Sequence, residues 1–221
     1  MTTFDRQRQT WTRCDDGLRC LSAYRVFAKG LGRFTWGNMA TYWSSVEPIW
    51  DVINIDSPES FLMTFAKVRP ELGLLYAAHF CQSEVCNGGF TQFFWNSTGV
   101  LGPEAVKGFA AIGQEQTANI VQRAMDMLCQ PYSRDRASRQ MALKSLLPEN
   151  EEPAEQNETE AEGTEEQELL ALIAQDRVPG YRRVEAFSPL EEEFYIALEN
   201  GNGGFELAAD KYAERIGAQE N

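Results

Sequence analysis

His79, Cys81 and Cys86 are the side chains of this sequence best suited to nucleophilic or metal chemistry. A Ser–His or Cys–His mechanism must use His79, the single histidine, with its nucleophile inside hydrogen-bond distance. On a helix, Cys81 points to nearly the opposite side from His79. Cys86 returns to the same face two turns further on, out of reach. A histidine within an apolar helix is more often a hydrogen-bonded core residue, so no catalytic residue is assigned and the chain is not expected to be an enzyme. A zinc site from His79, Cys81, Cys86 and a distant cysteine matches no common ligand spacing and lacks paired CxxC elements, so no metal is expected. Glu191, Glu192 and Glu193 are consecutive and fan out around a helix, which suits a solvated face and a helix N-terminus better than paired acid–base chemistry. Gly88-Gly89 has neither a preceding strand nor the Lys-Ser/Thr ending of a phosphate loop. No cofactor is expected.

Those glycines belong to EVCNGGFTQFFWNSTG, residues 84–99, the least ordinary stretch of the chain. Asn87, Gly88 and Gly89 fall where a buried helix must end, and both residue types tolerate the left-handed backbone of a helix C-cap. Phe90, Phe93 and Phe94 then recur at the spacing of one helical face. Trp95 completes an aromatic wedge, and Gln92 and Asn96 are amides able to bridge backbone groups at such a corner. The stretch therefore reads as a tight helix–turn–helix corner with an aromatic plug rather than a ligand pocket. The four letters return as Asn202-Gly203-Gly204-Phe205 between two further predicted helices, with flanks that do not match, so turn chemistry is reused without an internal repeat.

Helical periodicity surrounds this corner. Pro70 opens a segment with Leu74, Ala78, Cys81 and Val85 in line, widened by Leu72, Tyr76 and Phe80. Pro103 suits a first helical position ahead of Val106, Phe109 and Ile112, with Gly113 as the stop. Ala118, Val121, Met125 and Leu128 mark a helix over 115–129, and another is expected over 135–147, ended by Pro148. Leu169, Leu172 and Ile173 mark a short one. Ser188-Pro189-Leu190-Glu191 has the capping-box pattern ahead of Phe194 and Leu198, and Phe205, Ala209, Tyr212 and Ile216 mark the last helix. Residues 17–29 and 38–53 are expected to be helical as well. No convincing strand appears. The fold class is all-α, or predominantly α, a compact multi-helix bundle with an acidic insertion that looks disordered.

Charge divides this chain by region. Residues 1–36 hold seven Lys/Arg against three Asp/Glu, and residues 149–221 hold five against twenty. Ten acids and no base lie in 149–168, a run without aromatics that cannot bury enough surface to offset its ordering entropy. The expected organisation is an N-terminal extension over 1–37, a helical core over 38–148, an acidic linker over 149–168, and C-terminal helices over 169–221 that pack on the core. A net charge of −13 disfavours direct binding of nucleic acid. No long apolar run and no signal-peptide pattern is present, so no membrane association is expected and the location is read as cytoplasmic. The five cysteines, including Cys14, Cys20 and Cys129, then read as small apolar residues.

EVCNGGFTQFFWNSTG followed by EAVKGFAAIG resembles the signature of the bacterial DNA-mimic protein 19 family, a domain of unknown function. The resemblance runs from about Tyr42 to Cys129 and resumes at LEEEFYIALE, residues 190–199. It implies a helical, cytoplasmic protein without assigned catalytic residues, and a role in mimicking the charge of DNA so that a transcription factor is held off its operator. Three function classes follow: a non-catalytic acidic protein that sequesters a basic DNA-binding protein, an immunity-type protein that neutralises a toxin, and an uncharacterised enzyme. The first leads. Its partner-binding carboxylates are expected to be Glu191, Glu192, Glu193, Glu199 and Glu206, on predicted helices whose apolar stripes face elsewhere. Assembly as a homodimer stays open.

Overall fold

The computed structural model describes residues 41–148 and 181–217, which form eight α-helices and no strand. The N-terminal extension with its helix over 17–29, the acidic run 149–168 and the helix near Leu169–Ile173 lie outside the described residues, as do Cys14 and Cys20.

Helix α1 spans Thr41–Val46 and α2 spans Pro58–Phe65; α3, Pro70–Trp95, is the longest of the described helices. Helices α4 (Gly102–Ala111), α5 (Glu115–Leu128) and α6 (Arg136–Ser145) follow, and α7 (Ser188–Asn200) and α8 (Phe205–Gly217) close the fold. Before its kink, α3 buries Leu75, Tyr76, Ala77, Ala78, Cys81 and Val85, an apolar surface too wide for a helix with one solvated face. It is therefore central, packed by α4, α6, α1 and α7. Leu74, expected on the inner stripe, is only half-buried. Gly108 lets α4 lie close against α3: a Cβ there would stand 2.3 Å from the Leu74 carbonyl oxygen.

Several termini follow their local chemistry. Asp135 accepts from the Ser138 N–H at 2.7 Å and starts α6. Helix α2, absent from the periodicity reading, has an N-cap at Ser57, whose hydroxyl accepts from the Ser60 N–H, and Pro58 in its first turn. Gln114, buried ahead of α5, donates to the carbonyls of Leu198 and Gly201 and ties the α4–α5 turn to the end of α7. The second Asn-Gly-Gly-Phe forms the α7–α8 turn, with positive φ at Asn202, Gly203 and Gly204.

The capping box at Ser188 does not form. Helix α7 starts at Ser188 itself, with no side-chain cap, and the Glu191 carboxylate reaches across to α3 instead. Phe187, Leu190, Phe194, Ala197 and Leu198 join the same core as α3, as do Phe205, Ala209, Tyr212 and Ile216 of α8.

Candidate functional site

The NGGF corner divides α3 into two helices that meet at a kink, where the sequence placed a turn. Gly88 takes φ −144° and ψ 22°, and Gly89 takes φ 75° and ψ −175°, the second a backbone region open to glycine but strained for other residues. Breaking the helical ladder frees carbonyls on the first half and an N–H on the second, and a buried corner must find them partners. Tyr195 Oη donates to the Val85 carbonyl at 3.1 Å, and Tyr181 Oη to the Gly88 carbonyl at 3.4 Å. The Phe90 N–H donates to Glu191 Oε1 at 2.9 Å. Glu191 thus caps the second half of α3 from another helix, the service that Ser, Asp or Asn renders at an ordinary N-cap. Its other oxygen accepts from Arg183 Nη2 at 2.7 Å, and the Val184 N–H donates to Thr91 Oγ1 at 3.0 Å. Residues 181–191 therefore strap over the kink.

A second carboxylate anchors the opposite side. Gln92 Nε2 and Asn96 Nδ2 donate to Glu84 Oε2 at 2.8 and 3.0 Å, and the Thr98 hydroxyl donates to Oε1 at 2.9 Å. The two amides, expected to bridge backbone groups, instead hold one buried acid across the kink. Burial pushes Glu84 above the usual carboxylate range, while bonds from Gln92, Thr98 and Asn96 pull it part of the way back. Glu191 is also raised by burial, opposed by Arg183 and the Phe90 N–H.

The same corner carries the aromatic plug. Phe90, Phe93 and Phe94 are fully buried, and Phe90 meets Phe194 edge-on with ring centroids 5.5 Å apart. Phe187 packs on Phe94 at 5.7 Å. Beyond the plug, α6 closes the C-terminus of α3. Arg139, fully buried, donates to the carbonyls of Phe94 and Asn96, and Arg136 and Gln140 donate to that of Trp95. Cations at a helix C-terminus complement its dipole, and the same guanidinium also donates to the carbonyls of Ser133 and Arg134 in the loop before α6. Asn87 Oδ1 and Trp95 Nε1 are buried without a hydrogen-bond partner among the described residues.

The expected partner-binding acids separate here. Glu191 does not face solvent: it is 2 % exposed, because the kink needs a buried acceptor at the Phe90 N–H. Glu192, Glu199 and Glu206 are exposed. Glu193 is outward but clasped by Arg123 of α5, at 2.5 and 3.2 Å. His79 sits 3.4 Å from the Tyr42 hydroxyl, against Trp43 and Phe80, and burial pushes it down to about 4, neutral at physiological pH. Cys81 is buried with its thiol pushed up, and Cys81, Cys86 and Cys129 are free thiols. Among the described residues, no group of three His, Cys, Asp or Glu side chains could hold a metal ion, and no helix is long and apolar enough to cross a membrane.

Sequence reasoning placed Asn87, Gly88, Gly89, Phe90, Gln92, Phe93, Phe94 and Asn96 at one corner, and the structure brings them together there. It missed Glu84, Thr98, Tyr181, Arg183 and Tyr195. Glu84 and Thr98 stood inside the quoted motif, and an acid in an apolar helix was the available signal. The others come from far along the chain and left none. The DMP19-like protein family model matches residues 66–216, beginning later than the resemblance from Tyr42 and running through both C-terminal helices. No curated protein and no solved structure matches the chain.

Proposed function

Because the chain belongs to the DMP19-like protein family, we propose that it is a non-catalytic acidic interaction protein that sequesters a basic DNA-binding protein by presenting carboxylates where DNA would present phosphates. The observation that carries this reading is the outward set on the C-terminal helices: Glu192, Glu199 and Glu206 are exposed, and Glu193 already holds a guanidinium in two hydrogen bonds. The motif residues support it from the other side, since Gln92, Asn96 and Thr98 each donate to Glu84 and the Phe90 N–H donates to Glu191. Their chemistry holds the helix kink, and specificity then belongs to the surface that the kink positions.

Affinity purification from the native cell tests the proposal, followed by titration of the captured protein at increasing salt. A DNA-binding protein whose affinity falls as salt rises, and which DNA displaces, is the expected result. Changing Glu192, Glu193, Glu199 and Glu206 together to Gln should abolish binding, while deleting residues 149–168 should leave most of it. An affinity indifferent to salt and to both changes would overturn the proposal.

A further inference from the structure

The solvent face of α7 is not uniformly polar. Leu190, Glu191, Phe194, Ala197 and Leu198 are its buried side, so helical geometry turns Glu192, Ile196 and Glu199 outward together. Ile196 is 62 % exposed at the centre of that stripe, one turn from an acid in each direction, and Tyr195 is 38 % exposed at its edge. Among the described residues, the Glu192 and Glu199 side chains have no hydrogen bond or ion pair, whereas that of Glu193 is bound to Arg123.

Taken by itself, this stripe spaces its charges more widely than a phosphate backbone does and adds an apolar group between them. Seven residues separate Glu192 from Glu199, roughly 10 Å along the helix axis at about 1.5 Å per residue. One DNA strand carries a charge about every 3.4 Å, so about three phosphates would occupy that length, with no apolar group between them. Two carboxylates flanking an isoleucine match a different object: a helix with one apolar side chain between two Lys or Arg placed a turn away on either side. The surrounding charge favours it, since residues 181–217 hold eight Asp/Glu against four Lys/Arg. Among recurring recognition modes, an amphipathic helix laid on a complementary face has these spacings.

We propose that the Glu192–Ile196–Glu199 face of α7 docks a basic amphipathic helix of the partner, gripping it by an apolar contact at Ile196 as well as by charge. This rests on the reading of the protein as an acidic interaction module and specifies what that module recognises. Two labelled synthetic probes test it on the full chain: a helical Leu/Lys peptide with a single Leu stripe, and a Gly/Lys peptide of equal charge. The Leu/Lys peptide should bind more tightly and keep more of its affinity at high salt. Ile196→Ser should weaken it roughly tenfold, with the Gly/Lys peptide unaffected. Glu192→Gln with Glu199→Gln should flatten the salt dependence of both peptides. Amide shifts in a heteronuclear NMR titration should centre on residues 192–199, and an unchanged melting temperature for Ile196→Ser would show that the fold is intact.

Equal binding of both peptides with no effect of Ile196→Ser overturns the inference while leaving charge recognition standing. Shifts centred on the exposed Leu62 and Met63 of α2 also overturn it, by placing the contact elsewhere. If neither peptide binds at any salt concentration, the interaction reading falls with it.

Discussion

Gly89 and Glu191 behave as one unit. A Cβ at Gly89 would lie 2.1 Å from Glu191 Oε1, on a backbone with φ +75°. Gly89→Ala should therefore cost at least about 1–3 kcal/mol of unfolding free energy in urea titrations, through backbone strain and displacement of the capping carboxylate. Glu191→Ala should cost about 1–3 kcal/mol by leaving the Phe90 N–H buried and unpaired, and Glu191→Gln should cost less, because an acceptor remains. Titration separates the buried ionisable groups. Glu84 and Glu191 are raised above the usual range, so their protonated forms favour the fold. That contribution is present at acid pH and is lost as pH rises through their folded values. His79 has the opposite sign: the unfolded chain binds its proton near 6.5 and the folded chain only near 4, so stability is lost as pH falls through that window. Unfolding midpoints measured across pH should show His79→Phe losing less stability than the wild type between pH 6.5 and 4. Glu84→Gln should gain on the wild type as pH rises above 4.5.

At the scale of elements, the kink directs the second half of α3 into the aromatic contacts with Phe187 and Phe194. Phe93→Ala or Phe94→Ala should lower stability by about 3–5 kcal/mol, read by thermal or urea unfolding, because both rings are fully buried and their loss leaves a cavity that the surroundings fill only in part. The corner and most helices were legible in the sequence because they depend on local chemistry. Proline at a first turn, glycine at positive φ and phenylalanines three and four apart each act within a few residues. Helix α2 escaped notice because two turns are too short for periodicity, although Ser57-Pro58 was a start signal. The Ser188 capping box misled because a long-range demand outbid a local one: Glu191 had both a nearby N–H and the Phe90 N–H within its options, and burial favours the latter. Exposure was equally out of reach. Glu191, Glu192 and Glu193 are identical letters in a row, and only the packing of α7 on α3 and α5 decides which turns inward and which meets Arg123.

For the molecule as a whole, one core joins the two described stretches. Phe187, Phe194, Phe205 and Tyr212 are buried with residues of α3 and α4, and the strap 181–191 supplies partners to the kink. Replacing residues 149–168 with a specific protease site and cutting it should give two pieces that elute together in size-exclusion chromatography and separate only in denaturant. Arg183→Ala, by removing the ion pair on Glu191, should lower the denaturant concentration at which they part.

The kink also has a history in time. Its capping carboxylate is 101 positions downstream of the N–H it serves. At roughly 5–20 residues per second, a ribosome takes on the order of 5–20 s to reach Glu191 after making Phe90. For that interval the Phe90 N–H lacks the Glu191 carboxylate that accepts from it in the finished fold. The contact that caps the corner thus waits on a residue made long after the corner itself.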